Sequence, residues 1–268
     1  MPNTPIDHHT LPHNVVSGQH IPGVTYFATT RIAGHSQGPW ASWNLGAHCG
    51  DDSRAVRDNR AQLQSLLPGS VHWLRQVHGT EVVELKKNMR PTPMPITADA
   101  AFTRDTGCVL AVLTADCLPI VITDIHARVL GIAHAGWRGL AQGVLQQLAA
   151  HMQRYTAAQQ WQAWIGPAIR QPHFEVGEDV YRSFTQQTPQ DAQFFRYLRP
   201  GKWLADLAGL ASVRLQRSFT GQVVVHDSLQ CTYALEDQFF SYRRDRITGR
   251  LATVAWLDEP RPDVIQQP

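Results

Sequence analysis

Apolar residues along this 268-residue chain fall into two patterns. Runs rich in β-branched and aromatic residues, set between turn-like borders, predict strands at 24–30 (VTYFATT), 71–77 (VHWLRQV), 81–85 (EVVEL), 108–114 (CVLAVLT), 118–124 (LPIVITD), 128–135 (RVLGIAHA), 161–166 (WQAWIG), 221–226 (GQVVVH) and 251–257 (LATVAWL). Helical spacing predicts helices at 53–66, 139–154, 177–187 and 204–218. The clearest is GLAQGVLQQLAAHMQRY, where Leu140, Val144, Leu145, Leu148 and Met152 fall on one face. The strands cluster rather than alternate with helices, which favours an α+β (mixed α/β) fold over a doubly wound parallel sheet. No repeat or linker divides the chain, and the proline-rich 89–100 (MRPTPMPITADA) runs straight into apolar sequence, so it reads as a loop. The expected organisation is a polar leader over 1–22 with little order, one domain over 23–258, and a frayed tail over 259–268.

Composition narrows the picture by exclusion. Hydrophobic residues make up 43% and charged residues 17%, and 24 basic against 22 acidic side chains give a formal charge of +2, without the basic excess of a nucleic-acid binder. The leader has no basic segment followed by an apolar one, and no apolar run approaches the roughly 18 residues of a membrane span. A cytoplasmic protein is expected, acting on small molecules rather than nucleic acid or membrane, as a monomer or small homo-oligomer. Cys49, Cys108, Cys117 and Cys231 are too scattered for a disulfide framework and show no CxxC spacing. Of 13 histidines, His8, His9, His13 and His20 lie in the polar leader.

The stretch LTADCLPIVI (113–122) reads as a buried strand, yet Asp116 and Cys117 interrupt it, and 17 residues past the cysteine AHAGWRG carries His134. With His78 in RQVHGT these residues form a Cys/His/His set. Such a set suits a three-ligand zinc site whose open position serves catalysis. The alternative is a core cysteine with surface histidines. Local context favours the site: Gly79, Gly136 and Gly139 permit tight turns or close approach, and Pro119 breaks the strand beside Cys117. Trp137 and Arg138 start a helix whose N–H groups and guanidinium suit an anion, or else they are a packed Trp and a solvated Arg. Asp116 either orients a ligand histidine or moves a proton, or is a buried acid held by backbone N–H groups.

Through TTRIAGHS, WNLGAHCGDD, VRDNR, RQVHGTEV, TADCLPIVI, AHAGWRG, IGPAI, FEVGEDV, CTY and FFSYRRDRITGR, the chain resembles the laccase-domain family from about residue 24 to 257. That family is also labelled multicopper polyphenol oxidase-like, peptidoglycan editing factor, or zinc-dependent purine nucleoside phosphorylase. The resemblance implies that His78, Cys117 and His134 are zinc ligands and that the fold is one domain of layered mixed sheets flanked by outer helices. It also implies phosphorolysis of adenosine, inosine, guanosine and methylthioadenosine, and deamination of adenosine. Where relatives commonly read GGxS, this chain reads Ala33-Gly34-His35-Ser36, which puts a glycine-dependent turn in question.

Copper is the less favoured metal. A multicopper oxidase needs several coppers and a large histidine set, whereas this chain has one Cys/His/His group and no HxH pair. For phosphate, Arg60, Arg138, Arg243 and Arg244 are candidates beside a plain reading as surface charges. Asn44 either bonds ribose or base or caps a turn. Phe240 and Tyr242 either stack on a purine or form a packed face. Zinc deaminases add a glutamate in an HxE motif that is missing at these ligands, so Asp116 is the first candidate for the proton shuttle. Two other functions compete: a zinc hydrolase acting on a peptidoglycan precursor, and a structural zinc module whose shell His35, His48 or Cys49 would close to four protein ligands.

Overall fold

The computed structural model describes residues 12–89 and 94–259. In chain order its elements are β1 (Val15–Val16), β2 (Val24–Thr29), α1 (Ser53–Gln64), β3 (Leu74–Arg75), β4 (Val82–Glu84), β5 (Ile96–Thr97), β6 (Ala100–Thr103), β7 (Leu110–Thr114), β8 (Leu118–Asp124), β9 (Leu130–Ala135), α2 (Trp137–Gln142) and α3 (Val144–Met152). They continue with β10 (Gln160–Ile165), β11 (Glu175–Gly177), α4 (Glu178–Thr185), β12 (Phe195–Arg199), β13 (Lys202–Ala205), α5 (Leu207–Ser218), β14 (Gln222–Asp227), α6 (Tyr242–Asp245) and β15 (Leu251–Leu257). A six-stranded mixed sheet has the order β14-β10-β8-β9-β6-β4, and a four-stranded antiparallel sheet the order β1-β2-β15-β7. Both are accompanied by a three-stranded sheet β11-β13-β12 and the short parallel pair β3-β5. The α+β layering expected from the sequence is the observed one.

Strand periodicity explains the layers. In β8, Ile120 and Ile122 pack with Leu145, Leu148 and Met152 of α3 and Leu210 and Leu215 of α5, while Val121 between them joins Tyr26, Leu110, Val112 and Ala255 of the four-stranded sheet. The reverse face of that sheet, with Phe27, Ala111, Leu113, Val254 and Trp256, packs on Trp43, Leu45 and Leu63. The order is therefore helices, sheet, sheet, helix, and the central strands read as unbroken apolar runs because both faces are buried.

Several elements depart from the sequence expectation, each for a local reason. The helix expected over 139–154 divides at Gly143, whose φ of 100° takes the left-handed conformation that ends α2 and starts α3. The strand expected over 71–77 shrinks to β3, because the side-chain amide of Gln76 both donates to the Leu113 carbonyl and accepts from its N–H, at 2.8 Å each, taking the place of a ladder along the β7 edge. The leader is not loose throughout: β1 pairs with β2, and Ile21 is buried. The β12–β13 hairpin escaped detection because only Phe195 of β12 is buried, leaving no alternation to read. Residues 1–11 and 260–268, half of the expected leader and all but the first residue of the expected tail, lie outside the described residues.

Candidate metal centre and its cavity

The run that looked like one interrupted strand is two strands in different sheets. β7 belongs to the four-stranded sheet and β8 to the six-stranded one, and residues 115–117 cross between them. The crossing turns at Asp116, which takes φ 91°. One carboxylate oxygen of Asp116 accepts from the Thr232 hydroxyl at 2.7 Å and the other from the Arg243 N–H at 2.6 Å. Asp116 thus ties the crossing to the segments before and within α6, and its carboxylate hydrogen bonds go there rather than to His78 or His134. Cys117 follows it at the mouth of β8, opposite the end of β9, where His134 pairs with Pro119. His78 arrives on the loop after β3 with φ 59°, a rare conformation for a non-glycine residue.

Asp99, between β5 and β6, organises both histidines. Its Oδ1 accepts from the His78 N–H and from His134 Nδ1, both at 2.9 Å, and its Oδ2 accepts from the N–H groups of Val77 at 3.1 Å and Gly79 at 2.7 Å. The Asp99 carbonyl also accepts from the His134 N–H at 2.7 Å. A carboxylate on Nδ1 keeps a proton there, so the nitrogen that His134 would free for a metal, by giving up its other proton, is Nε2. Burial opposes the Asp99 charge, but the hydrogen bond from His134 and those from Gly79 and Val77 outweigh it and hold its carboxyl below the usual carboxylate range.

One ligand atom each from His78, Cys117 and His134 lies within 4.8 Å of the others. The Cys117 Sγ to His78 Nε2 distance is 3.9 Å, and the two imidazoles meet edge to face with centroids 4.8 Å apart. Tetrahedral zinc with ordinary Zn–N and Zn–S bonds sets its ligand atoms about 3.3–3.6 Å apart, so a small inward movement closes the set on an ion. Electrostatics agree with the donor set. Burial pushes the Cys117 thiol up, but the charge and hydrogen bond of His134 and the hydrogen bond of His78 bring it down to about 6, toward the thiolate a metal needs. Burial likewise disfavours a charged His134, but the Cys117 thiolate and the Asp99 hydrogen bond raise it to about 9.

Two glycines make room for this arrangement. A Cβ on Gly136 would lie 2.9 Å from both Cys117 Sγ and His78 Cδ2, and one on Gly139 would lie 2.8 Å from the Gly79 carbonyl oxygen. Among the described residues no fourth His, Cys, Asp or Glu joins the group. The residues therefore fit a metal with an open position, not a closed four-ligand shell.

The three ligands line a cavity of about 830 Å³, within the range of small-molecule sites. Arg60, Arg75, Arg138 and Arg250 also line it, together with His48 and Tyr242. Arg60 donates to the Leu45 carbonyl and lies 4.2 Å over the Trp73 ring; Arg138 is exposed and lies 4.7 Å from the Trp137 ring. Burial, with Arg250 and Arg60 nearby, lowers the pKa of His48.

Other sequence candidates lie elsewhere. Asn44 is fully buried, accepting from the N–H groups of Gly46 and Arg250 and donating to Asp51, so it pins a turn. Arg244 is engaged by Asp245 and by the carbonyls of Thr232, Tyr233 and Phe239. Arg243 lines a different cavity, and Phe240 is buried beneath Arg31 rather than open to a base. Ala33 takes φ 67° where glycine would be at ease, and His35 is not among the cavity-lining residues. Sequence reasoning missed Asp99, Arg75 and Arg250, and it weighed His48 only as a fourth ligand rather than as part of the cavity wall. The one available signal for Asp99 was the repetition of Thr-Ala-Asp at 97–99 and 114–116.

A family model described as multi-copper polyphenol oxidoreductase laccase matches residues 25–258. A protein of Xylella fastidiosa named purine nucleoside phosphorylase is 42% identical over 245 residues, covering 88% of this chain and 93% of that protein. The Escherichia coli purine nucleoside phosphorylase YfiH is 40% identical over 238 residues, covering 88% and 94%. Among solved structures, a Neisseria meningitidis protein superposes with a TM-score of 0.84 at 40% identity, covering 92% of this chain and all of that one. YlmD of Geobacillus stearothermophilus gives 0.81 at 31% identity, covering 89% and 93%.

Proposed function

The chain belongs to the multi-copper polyphenol oxidoreductase laccase family, and on that premise we propose that it is a zinc-dependent purine nucleoside phosphorylase that also deaminates adenosine. The observation that carries this reading is the three-ligand group opening into a cavity that holds four guanidinium groups. The relatives' names supply the substrate class. Oxidase chemistry with several coppers finds little support, since the Cys/His/His group is the one such site among the described residues.

His78, Cys117 and His134 hold the metal, with Asp99 fixing the tautomer of His134. Bound there, zinc supplies a Lewis acid and lowers the pKa of a coordinated water. Arg138 and Arg60, with Arg250, bind phosphate through their planar donor forks and set one of its oxygens toward the anomeric carbon. As that oxygen forms its bond to C1′, the glycosidic C–N bond breaks and its electrons leave with the purine, which needs a hydrogen-bond donor. His48 is a polar group in the cavity suited to that contact, and its lowered pKa keeps it neutral near pH 7, with one ring N–H to donate. Tyr242 and Trp73 offer aromatic surface to the base. Asp116 is not among the residues lining the cavity and its carboxylate is turned to Thr232 and Arg243, so the proton shuttle is not assigned to it.

Purified zinc-loaded protein incubated with adenosine should release adenine only when phosphate is present and inosine without it, followed by chromatography. Adenosine left intact in both buffers contradicts the proposal and makes a muramyl precursor the next substrate to try.

A further inference from the structure

A second cavity, of about 610 Å³, shares α6 as a wall with the metal cavity: Tyr242 lines the metal cavity and Arg243 lines this one. Lys202, Arg243 and Arg246 line it against a single carboxylate, Glu175. That carboxylate is already shared, at 2.8 Å with Arg199 and at 3.9 Å with Lys202. Positive charge is therefore in excess within one concavity.

The cations are not a simple solvated face. Arg243 is anchored, one amino group donating to the Glu175 carbonyl at 2.6 Å and the guanidinium lying 5.0 Å over the Phe174 ring. Arg246 takes φ 62°, a conformation a non-glycine residue keeps only where its surroundings impose it. Among the described residues its guanidinium makes no hydrogen bond or ion pair and lies 5.9 Å from the Tyr242 ring. Beside these cations His173 and Tyr233 stack with centroids 4.7 Å apart and planes 15° apart, both lining the same cavity. Guanidinium groups are matched to phosphate oxygens, and the stacked rings offer a flat surface to whatever the phosphate carries.

We propose that this cavity binds a phosphate monoester, its dianion held by Lys202, Arg243 and Arg246 and its organic part set against the His173–Tyr233 pair. The monoester is either a nucleotide or a sugar phosphate, and the same titration separates the two. Zinc-loaded full-length protein is titrated calorimetrically with AMP, ribose 5-phosphate and inorganic phosphate. The comparison uses wild type, the double variant Lys202→Ala/Arg246→Ala, and Arg138→Ala, which alters the metal cavity alone.

The expected result is saturable binding of a monoester that weakens about tenfold or more in the double variant and is unchanged in Arg138→Ala. Tighter binding of AMP than of ribose 5-phosphate assigns a nucleotide, and equal binding a sugar phosphate. Should the double variant misfold, Arg246→Ala alone, an exposed change, is expected to weaken binding several-fold. No binding of either monoester at millimolar concentration overturns the proposal. Binding lost in Arg138→Ala but kept in the double variant also overturns it, because the phosphate then sits in the metal cavity.

Discussion

Replacing Asp99 by Asn removes one acceptor from a carboxylate that uses both oxygens twice. Oδ1 serves the His78 N–H and His134 Nδ1, and Oδ2 serves the Val77 and Gly79 N–H groups. The amide NH2 cannot accept, so whichever way the side chain turns, two of these bonds are lost. If NH2 faces Val77 and Gly79, the loop carrying His78 loses its anchors at about 1.5–3 kcal/mol per charge-assisted bond, a large share of a domain's total stability. If NH2 faces His134, it donates to Nδ1, moves the ring proton to Nε2 and blocks the nitrogen that would bind metal. Either outcome weakens zinc binding by about 10- to 100-fold, the usual effect of losing such a support. Competition against a chromophoric chelator measures this directly, and thermal unfolding with and without zinc separates metal affinity from stability. An Asp99→Asn protein that binds zinc within about threefold of wild type would refute the assignment of Asp99 as the organiser of the site.

Other consequences are equally accessible. Gly136→Ala puts a methyl 2.9 Å from Cys117 Sγ and His78 Cδ2, so zinc affinity should fall at least about tenfold while circular dichroism stays native. Ala33→Gly relieves a φ of 67° and should raise stability by about 1 kcal/mol in urea unfolding, leaving turnover unchanged because Ala33 is not among the residues lining the metal cavity. Arg138→Ala removes an exposed guanidinium from the cavity, so KM for phosphate should rise about tenfold with little change in the thermal midpoint. Leu148→Ala, at a fully buried α3 position, should cost about 2–5 kcal/mol by calorimetry and leave KM unaltered.

The three residues that the fold brings together into the candidate metal group were legible because each carries a local mark: a thiol breaking an apolar run, a histidine closing a strand before a glycine-rich helix start, and a histidine followed by glycine. The layers were legible for a similar reason, since β2, β7, β8, β9 and β15 are buried on both faces and read as apolar runs. What could not be read is contact between distant segments. Asp99 and Asp116 share the same Thr-Ala-Asp setting, and only the tertiary fold decides that Asp99 meets His134 while Asp116 meets Thr232 and Arg243. The surroundings of two arginines were hidden for the same reason: Arg243 and Arg244 are adjacent in sequence, but one is held by the Glu175 carbonyl and the other by three carbonyls around residues 232–239. Gln76 hid a strand edge because its side chain does the work of a backbone partner.

The central claim, metal-dependent phosphorolysis at His78, Cys117 and His134, is tested most directly by stripping the protein of metal, adding zinc in measured steps and following phosphate-dependent release of hypoxanthine from inosine. The account predicts no turnover without metal, a linear rise that breaks at about one equivalent of zinc, and none at any zinc level in Cys117→Ala that remains folded. Full turnover by the metal-free protein, or by Cys117→Ala, would contradict it.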